Sequence, residues 1–204
     1  MSEIHVLIVE DDPLIASDIE ENLTNVDYRV VGMAYNKIDA FELLSHTGAD
    51  IAILDINLGD NMHGFDIAKK INEKYHIPFV FLTSYASKEV VAEAKKLRPM
   101  GYLVKPFDES DLFTSIEIAL HNYGQIVKPK TLSKERINDR MHTDITSKEF
   151  EVIQDIYDGM TNKQMADKHF VSINTIKTHV KKIYDKLDTH SRSETIAAIR
   201  KFID

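Results

Sequence analysis

The first half of this sequence alternates short apolar runs with longer stretches of spaced apolar residues, and that alternation leaves few folds open. The runs are Ile4-His5-Val6-Leu7-Ile8-Val9, Tyr28-Arg29-Val30-Val31, Ile51-Ala52-Ile53-Leu54, Phe79-Val80-Phe81-Leu82 and Tyr102-Leu103-Val104. Most are continuous in apolar character. A strand with one wet face alternates apolar and polar residues, whereas a strand covered on both faces of a parallel sheet has no such need. Between the runs, residues such as Ile67, Ala68, Ile71 and Tyr75 recur at helical spacing. Repeated strand-then-helix units predict a doubly wound α/β domain. In such a sheet the working site lies at the carboxyl ends of the strands.

The pattern stops near residue 125. The stretch from Gln125 to His142 is charged, poor in apolar residues and holds Pro129, and it reads as a linker over 125–143. Beyond it the sequence is helical throughout. Thr146 with Glu149, Thr161 with Gln164, and Ser191 with Glu194 have capping-box spacing, and Ser172 is a further N-cap candidate. Gly159 stands where the first of these helices would end. Four helices of roughly 10–16 residues are predicted.

Charge divides at the same place. Residues 1–124 carry 10 basic and 21 acidic side chains, a net of −11, and residues 125–204 carry 15 and 12, a net of +3. The acidic part would repel a polyanion, and the mildly basic part can approach one. A length of 204 residues accommodates two such domains. No apolar run reaches membrane-spanning length, and the N-terminus Met1-Ser2-Glu3-Ile4-His5 has no basic leader region, so a cytoplasmic protein is expected. The chain has no cysteine, which excludes disulfides, thiolate metal sites and cysteine nucleophiles. The nine histidines are scattered without a zinc-site spacing.

Polar residues fall at the predicted strand ends. Asp11 and Asp12 follow the first strand, Asp55 follows the third, Thr83 ends the fourth and Lys105 ends the fifth. In a parallel sheet all five converge on one edge. Clustered carboxylates call for a hard cation, and Mg²⁺ takes oxygen ligands. A carboxylate also acts as a nucleophile that forms an aspartyl phosphate, while the metal, a lysine and a hydroxyl receive the phosphoryl oxygens. In this reading Asp55 is the phosphoacceptor. Asp12 and Asp55 bind the metal, Asp11 assists directly or through water, and the Asn57 backbone carbonyl is a third ligand. Thr83 and Lys105 contact the phosphoryl group. Taken alone, Asp11-Asp12 also suits a helix N-cap.

The stretches Val9-Glu10-Asp11-Asp12-Pro13, Leu54-Asp55-Ile56-Asn57-Leu58, Leu82-Thr83-Ser84 and Val104-Lys105-Pro106-Phe107 resemble the receiver domains of two-component response regulators over about residues 1–124. The resemblance implies a flavodoxin-like five-stranded parallel sheet of order 2-1-3-4-5, phosphorylation by a partner histidine kinase, and a cis peptide between Lys105 and Pro106. It makes Tyr102 an aromatic switch that turns inward when Thr83 moves toward the phosphoryl group. It leaves an enzymatic role only in the domain's own phosphorylation and dephosphorylation. The loop after Asp55 departs from the common pattern. Gly59 stands where proline is common, and the loop is one residue longer before Gly64, as in a subgroup of receivers. Ser84 occupies a position where alanine or glycine is frequent.

In the last part, Ile173, Ile176, Val180, Ile183 and Leu187 form one apolar stripe at helical spacing. Opposite it project Asn174, Thr178, Lys181 and Lys182, with Lys177 at the margin, a polar and basic front suited to a major groove. The segments Ile145-Thr146-Ser147-Lys148-Glu149, Gly159 to Ala166, Thr175 to Val180, Lys186-Leu187 and Arg192-Ser193-Glu194 resemble the LuxR/NarL-type helix-turn-helix over about residues 144–204. The resemblance implies a small all-α four-helix domain that contacts double-stranded DNA through Lys177, Thr178 and Lys181. It places a homodimer contact on the final helix, where Ile196, Ile199 and Ile203 have the spacing for that or for core packing. His179 reads as structural.

Two rival readings stand beside this one. A Mg²⁺-dependent phosphatase with an aspartate nucleophile would need a second aspartate in Asp55-Ile56-Asn57, where this chain has Asn57. A binding module independent of phosphorylation would need none of the acidic edge.

Overall fold

The computed structural model describes residues 3–24, 28–59, 61–84, 88–129 and 132–203. The chain forms two compact units, one from His5 to Ala119 and the other chiefly from Leu120 onward.

In the first unit, strands β1 (Ile4–Val9), β2 (Tyr28–Ala34), β3 (Ile51–Asp55), β4 (Phe79–Thr83) and β5 (Gly101–Val104) make one sheet in the order β2-β1-β3-β4-β5. The pairs β1·β3, β3·β4 and β4·β5 are parallel, with Val9 beside Leu54, Asp55 beside Leu82 and Thr83 beside Val104. This is the expected doubly wound order. Every residue of β3 and β4 is buried, which is why those runs carry no polar alternation. At the edge, β5 leaves Tyr102 and Val104 exposed.

Helices α1 (Pro13–Thr24), α2 (Lys37–His46), α3 (His63–Lys70), α4 (Lys88–Lys96) and the start of α5 (Glu109–Val127) accompany the sheet. Asn36 caps α2, its side chain accepting from the N–H groups of Ile38 and Asp39. Ile67, Ala68 and Ile71 of the predicted helical stripe are fully buried, and α3 passes into a π-helical turn over Ile71–Tyr75 before ending on left-handed His76. Phe81 sits edge-on to both Phe65 and Phe79. Burying Phe79 and Phe81 stabilises the sheet by ~1.5–3 kcal/mol each.

The second unit holds α6 (Lys134–Met141), α7 (Ser147–Tyr157), α8 (Asn162–His169), α9 (Ile173–Leu187) and α10 (Arg192–Ile203). Capping boxes at Thr146/Glu149 and Thr161/Gln164 start α7 and α8, and Ser172 caps α9. At α10 the Ser191 hydroxyl accepts from Glu194 N–H, while the Glu194 carboxylate accepts from His190 N–H. Helix α8 is eight residues long, shorter than predicted, because Phe170 turns left-handed at its end with φ 54°. Residues 125–143, read from sequence as a linker, carry the end of α5 and all of α6. Val127 and Ile137 join the second core with Ile153, Tyr157, Met165, Ile176, Val180 and Ile183.

The last two turns of α5 lie against α7 without intervening side chains. A Cβ on Gly124 would fall 1.7 Å from the Tyr157 carbonyl oxygen, and one on Gly159 would fall 2.5 Å from the His121 nitrogen. Around this contact Asp158 accepts hydrogen bonds from Gln125 and Lys128.

Candidate functional site

The carboxyl edge of the sheet gathers Glu10, Asp11 and Asp55. One carboxylate oxygen from each lies within 4.8 Å of the others. Asp55 ends β3 and is 4% exposed, and its Oδ1 accepts from the Asn57 N–H at 2.8 Å. Lys105 Nζ donates to Asp55 Oδ2 at 2.5 Å and to Glu10 Oε2. The Lys105–Pro106 peptide is cis.

Asp12, expected among the metal ligands, is not brought into this group. It is exposed, its Oδ1 accepts from Leu14 N–H at 2.9 Å, and its carbonyl accepts from Ala16 N–H. It serves as the N-cap of α1, the role an acidic pair after a strand also suits. The third carboxylate of the group is Glu10, which is 1% exposed. Sequence reasoning missed Glu10. The available signal was its place directly after a buried strand and directly before Asp11.

Burial pushes the Glu10 carboxyl up to about 7, helped by the Asp55 charge and opposed by Lys105. Burial would lower the Lys105 ammonium, but its hydrogen bonds to Asp55 and Glu10 outweigh this and carry it above the ordinary lysine value. Three carboxylates face one ammonium here, an all-oxygen set with negative charge to spare. That donor set fits a hard divalent cation.

Thr83 ends β4 and is buried, and its carbonyl accepts from Lys105 N–H at 2.8 Å. Tyr102, two residues before Val104 on the neighbouring strand, is 37% exposed, its ring 6.0 Å from that of Phe81. The loop after Asp55 is held by a bridge between Leu58 and Asn61. Gly59, with φ 66°, donates its N–H to Asp11 Oδ2 at 2.8 Å. Gly64 packs directly behind Asp55, where a Cβ would fall 2.1 Å from the Asp55 carbonyl oxygen.

In the second unit, Ile176, Val180, Ile183 and Leu187 of α9 are buried, whereas Ile173 is 39% exposed. Asn174, Thr178, Lys181 and Lys182 are exposed, and Lys177 is partly so. The Thr178 hydroxyl donates to Asn174 O at 2.8 Å. Burial, with Lys182 nearby, holds the His179 imidazole below its ordinary value. Arg192, whose sequence signal is only its place in the helix-turn-helix motif, is 4% exposed and donates to the Met160 carbonyl and to Asn162 Oδ1, fixing the start of α8. Lys186 similarly ties α9 to Glu149 at 2.7 Å. Ile196 and Ile199 pack in this unit's own core, and the Ile203 side chain lies outside the described residues. No helix among the described residues is long and apolar enough to cross a membrane.

Comparison with known proteins matches two families. The response regulator receiver domain matches residues 6–117, and the luxR family of bacterial regulatory proteins matches residues 143–199. Transcriptional regulatory protein YdfI of Bacillus subtilis is 30% identical over 199 residues, covering 94% of this chain and 92% of that protein. Response regulator protein VraR of Staphylococcus saprophyticus is 28% identical over 200 residues, covering 95% and 94%. Among solved structures, the signal receiver domain of a modulated diguanylate cyclase from Desulfovibrio desulfuricans G20 is 33% identical, with a TM-score of 0.57, over 61% of this chain and 99% of that one. The likeness to the two bacterial regulators runs through both units, and the two families together describe a transcription regulator rather than a classical enzyme. The chain belongs to the LuxR-type response regulators of two-component systems, a receiver domain joined to a DNA-binding domain.

Proposed function

We propose that Asp55 accepts a phosphoryl group from the phosphohistidine of a partner kinase, and that the modified protein binds specific double-stranded DNA as a homodimer in the cytoplasm. The observation that carries this reading is the convergence of Asp55, Glu10, Asp11, Thr83 and Lys105 on one sheet edge, with Lys105 Nζ 2.5 Å from Asp55. An Asp55 carboxylate oxygen attacks phosphorus, the P–N bond to the donor histidine breaks, and an aspartyl phosphate forms. Glu10, Asp11 and Asp55 would hold Mg²⁺, with the Asn57 carbonyl as a further oxygen. The ion supplies neutralisation of charge on the phosphoryl oxygens. Lys105 and Thr83 contact those oxygens, and Tyr102 turns inward as Thr83 moves. The same site catalyses only its own phosphorylation and dephosphorylation.

We assign residues 1–124 to the receiver, 125–143 to the connection and 144–204 to the DNA-binding domain. Asn174, Lys177, Thr178, Lys181 and Lys182 would face DNA, the exposure of most of them being the support. Intact-mass spectrometry after incubation with Mg²⁺ and a small acyl phosphate tests the acceptor. A single phosphoryl gain on wild type and none on Asp55→Asn is expected. An equal gain on both would place the acceptor elsewhere.

A further inference from the structure

We propose that Gly59 is a positioning residue for the cation site, its backbone N–H holding the Asp11 carboxylate in place; this rests on the Mg²⁺ reading above. Asp11 is exposed, and its side chain has two torsions to fix before it can serve as a ligand. The Gly59 N–H, 48 residues away in sequence, donates to Asp11 Oδ2 at 2.8 Å. That donor is itself fixed. Leu58 is buried and donates to Asn61 O at 3.0 Å, His63 N–H donates to the same oxygen at 2.8 Å, and Gly64 N–H donates to Ile56 O at 3.2 Å. Asp11 therefore meets a donor whose position is set by the loop, and a charge-assisted bond of this kind is stronger than a neutral one.

The residue type follows from the backbone. Gly59 has φ 66°, in the left-handed region, and a Cβ there would meet nothing within 4 Å. The position requires a particular conformation, not space. Proline has no N–H and cannot adopt that φ. Alanine keeps the N–H and has room for its methyl, at the strain of a left-handed L-residue. The bond engages one Asp11 oxygen and leaves the other to a cation, the usual arrangement of a ligand oriented by an outer partner. By linkage, the Gly59–Asp11 bond favours the cation, and binding the cation favours the bond.

Calorimetric titration of the full-length chain with Mg²⁺ tests this, with thermal melts confirming that each variant is folded. Gly59→Pro should weaken Mg²⁺ by about tenfold or more, and Gly59→Ala should stay within about threefold of wild type. Equal affinities for folded Gly59→Pro and wild type overturn the positioning role alone, and so does an equal loss in both variants. Absence of Mg²⁺ binding by wild type overturns the cation reading and this inference with it. Amide exchange followed by NMR needs no substitution: Mg²⁺ should slow exchange at Gly59, and unchanged exchange at saturating Mg²⁺ overturns the proposal.

Discussion

Replacing Gly64 by alanine should damage the Asp55 site from behind. The added Cβ would lie 2.1 Å from the Asp55 carbonyl oxygen and 2.8 Å from the Ile56 Cα, both backbone atoms. Carbon and oxygen in close contact normally stay ~3.3 Å apart, so the first turn of α3 must retreat by about 1 Å. That movement also stretches the Gly64 N–H to Ile56 O bond, already 3.2 Å long. Overpacking costs ~1–3 kcal/mol and the lost buried hydrogen bond ~1 kcal/mol, together ~2–4 kcal/mol. For a unit near 100 residues this lowers the Tm of the receiver transition by on the order of 10–20 °C. The control is Gly101→Ala, where the nearest atom to the new Cβ is a Val80 methyl at 3.5 Å, an ordinary contact. Circular dichroism melts of the three proteins compare them directly. A Gly64→Ala protein that melts with the wild type would refute the reasoning, since no flexible side chain is available to absorb the clash.

The other two predictions concern the DNA-binding unit. Burial alone would raise the Glu149 carboxyl, but hydrogen bonds from Lys186 and Thr146 outweigh it and hold it below its ordinary 4.5. A lowered carboxylate value contributes stability that is fully present above the unfolded value and lost as pH falls through the folded one. The stability advantage of wild type over Lys186→Met should therefore be largest near neutral pH and shrink below the ordinary glutamate value. A pH-independent difference would contradict it. Separately, Lys181→Ala should weaken binding to a selected duplex about tenfold and reduce the log–log salt slope by about 1, because one phosphate contact and its released counterion are lost. Unchanged affinity and slope, measured by fluorescence anisotropy across a salt series, would remove Lys181 from the interface.

The sheet was legible because its central strands are buried on both sides and so cannot tolerate polar alternation. Helix starts were legible because a capping box is a local device, written within four residues. The carboxylate group was only partly so. Asp11, Asp55 and Lys105 stand at strand ends, and strand ends are visible in sequence, but the choice between Glu10 and Asp12 depends on which carboxylate the chain turns inward as it enters α1. Asp12 spends its oxygen on Leu14 N–H, a competition that residue identity does not reveal. Helix α6 was missed for a related reason. Lys134–Met141 has no apolar stripe, and its one fully buried side chain is Ile137. Its stability comes from the core it meets and from the Ser133 cap, not from its own periodicity.

The contact between Gly124 and Tyr157 bears on how such genes can be recombined. The last turns of α5 contribute Tyr123 and Val127 to the second core and meet α7 backbone to backbone. A hybrid joined at residue 143 would bring a foreign α5 end against Tyr157, and any side chain at the Gly124 position would force the helices apart. Productive crossovers are therefore confined to points upstream of Leu120, or to parents that share both glycines. The portable form of this DNA-binding module is longer than its recognisable motif: it starts inside the receiver's last helix, at Leu120.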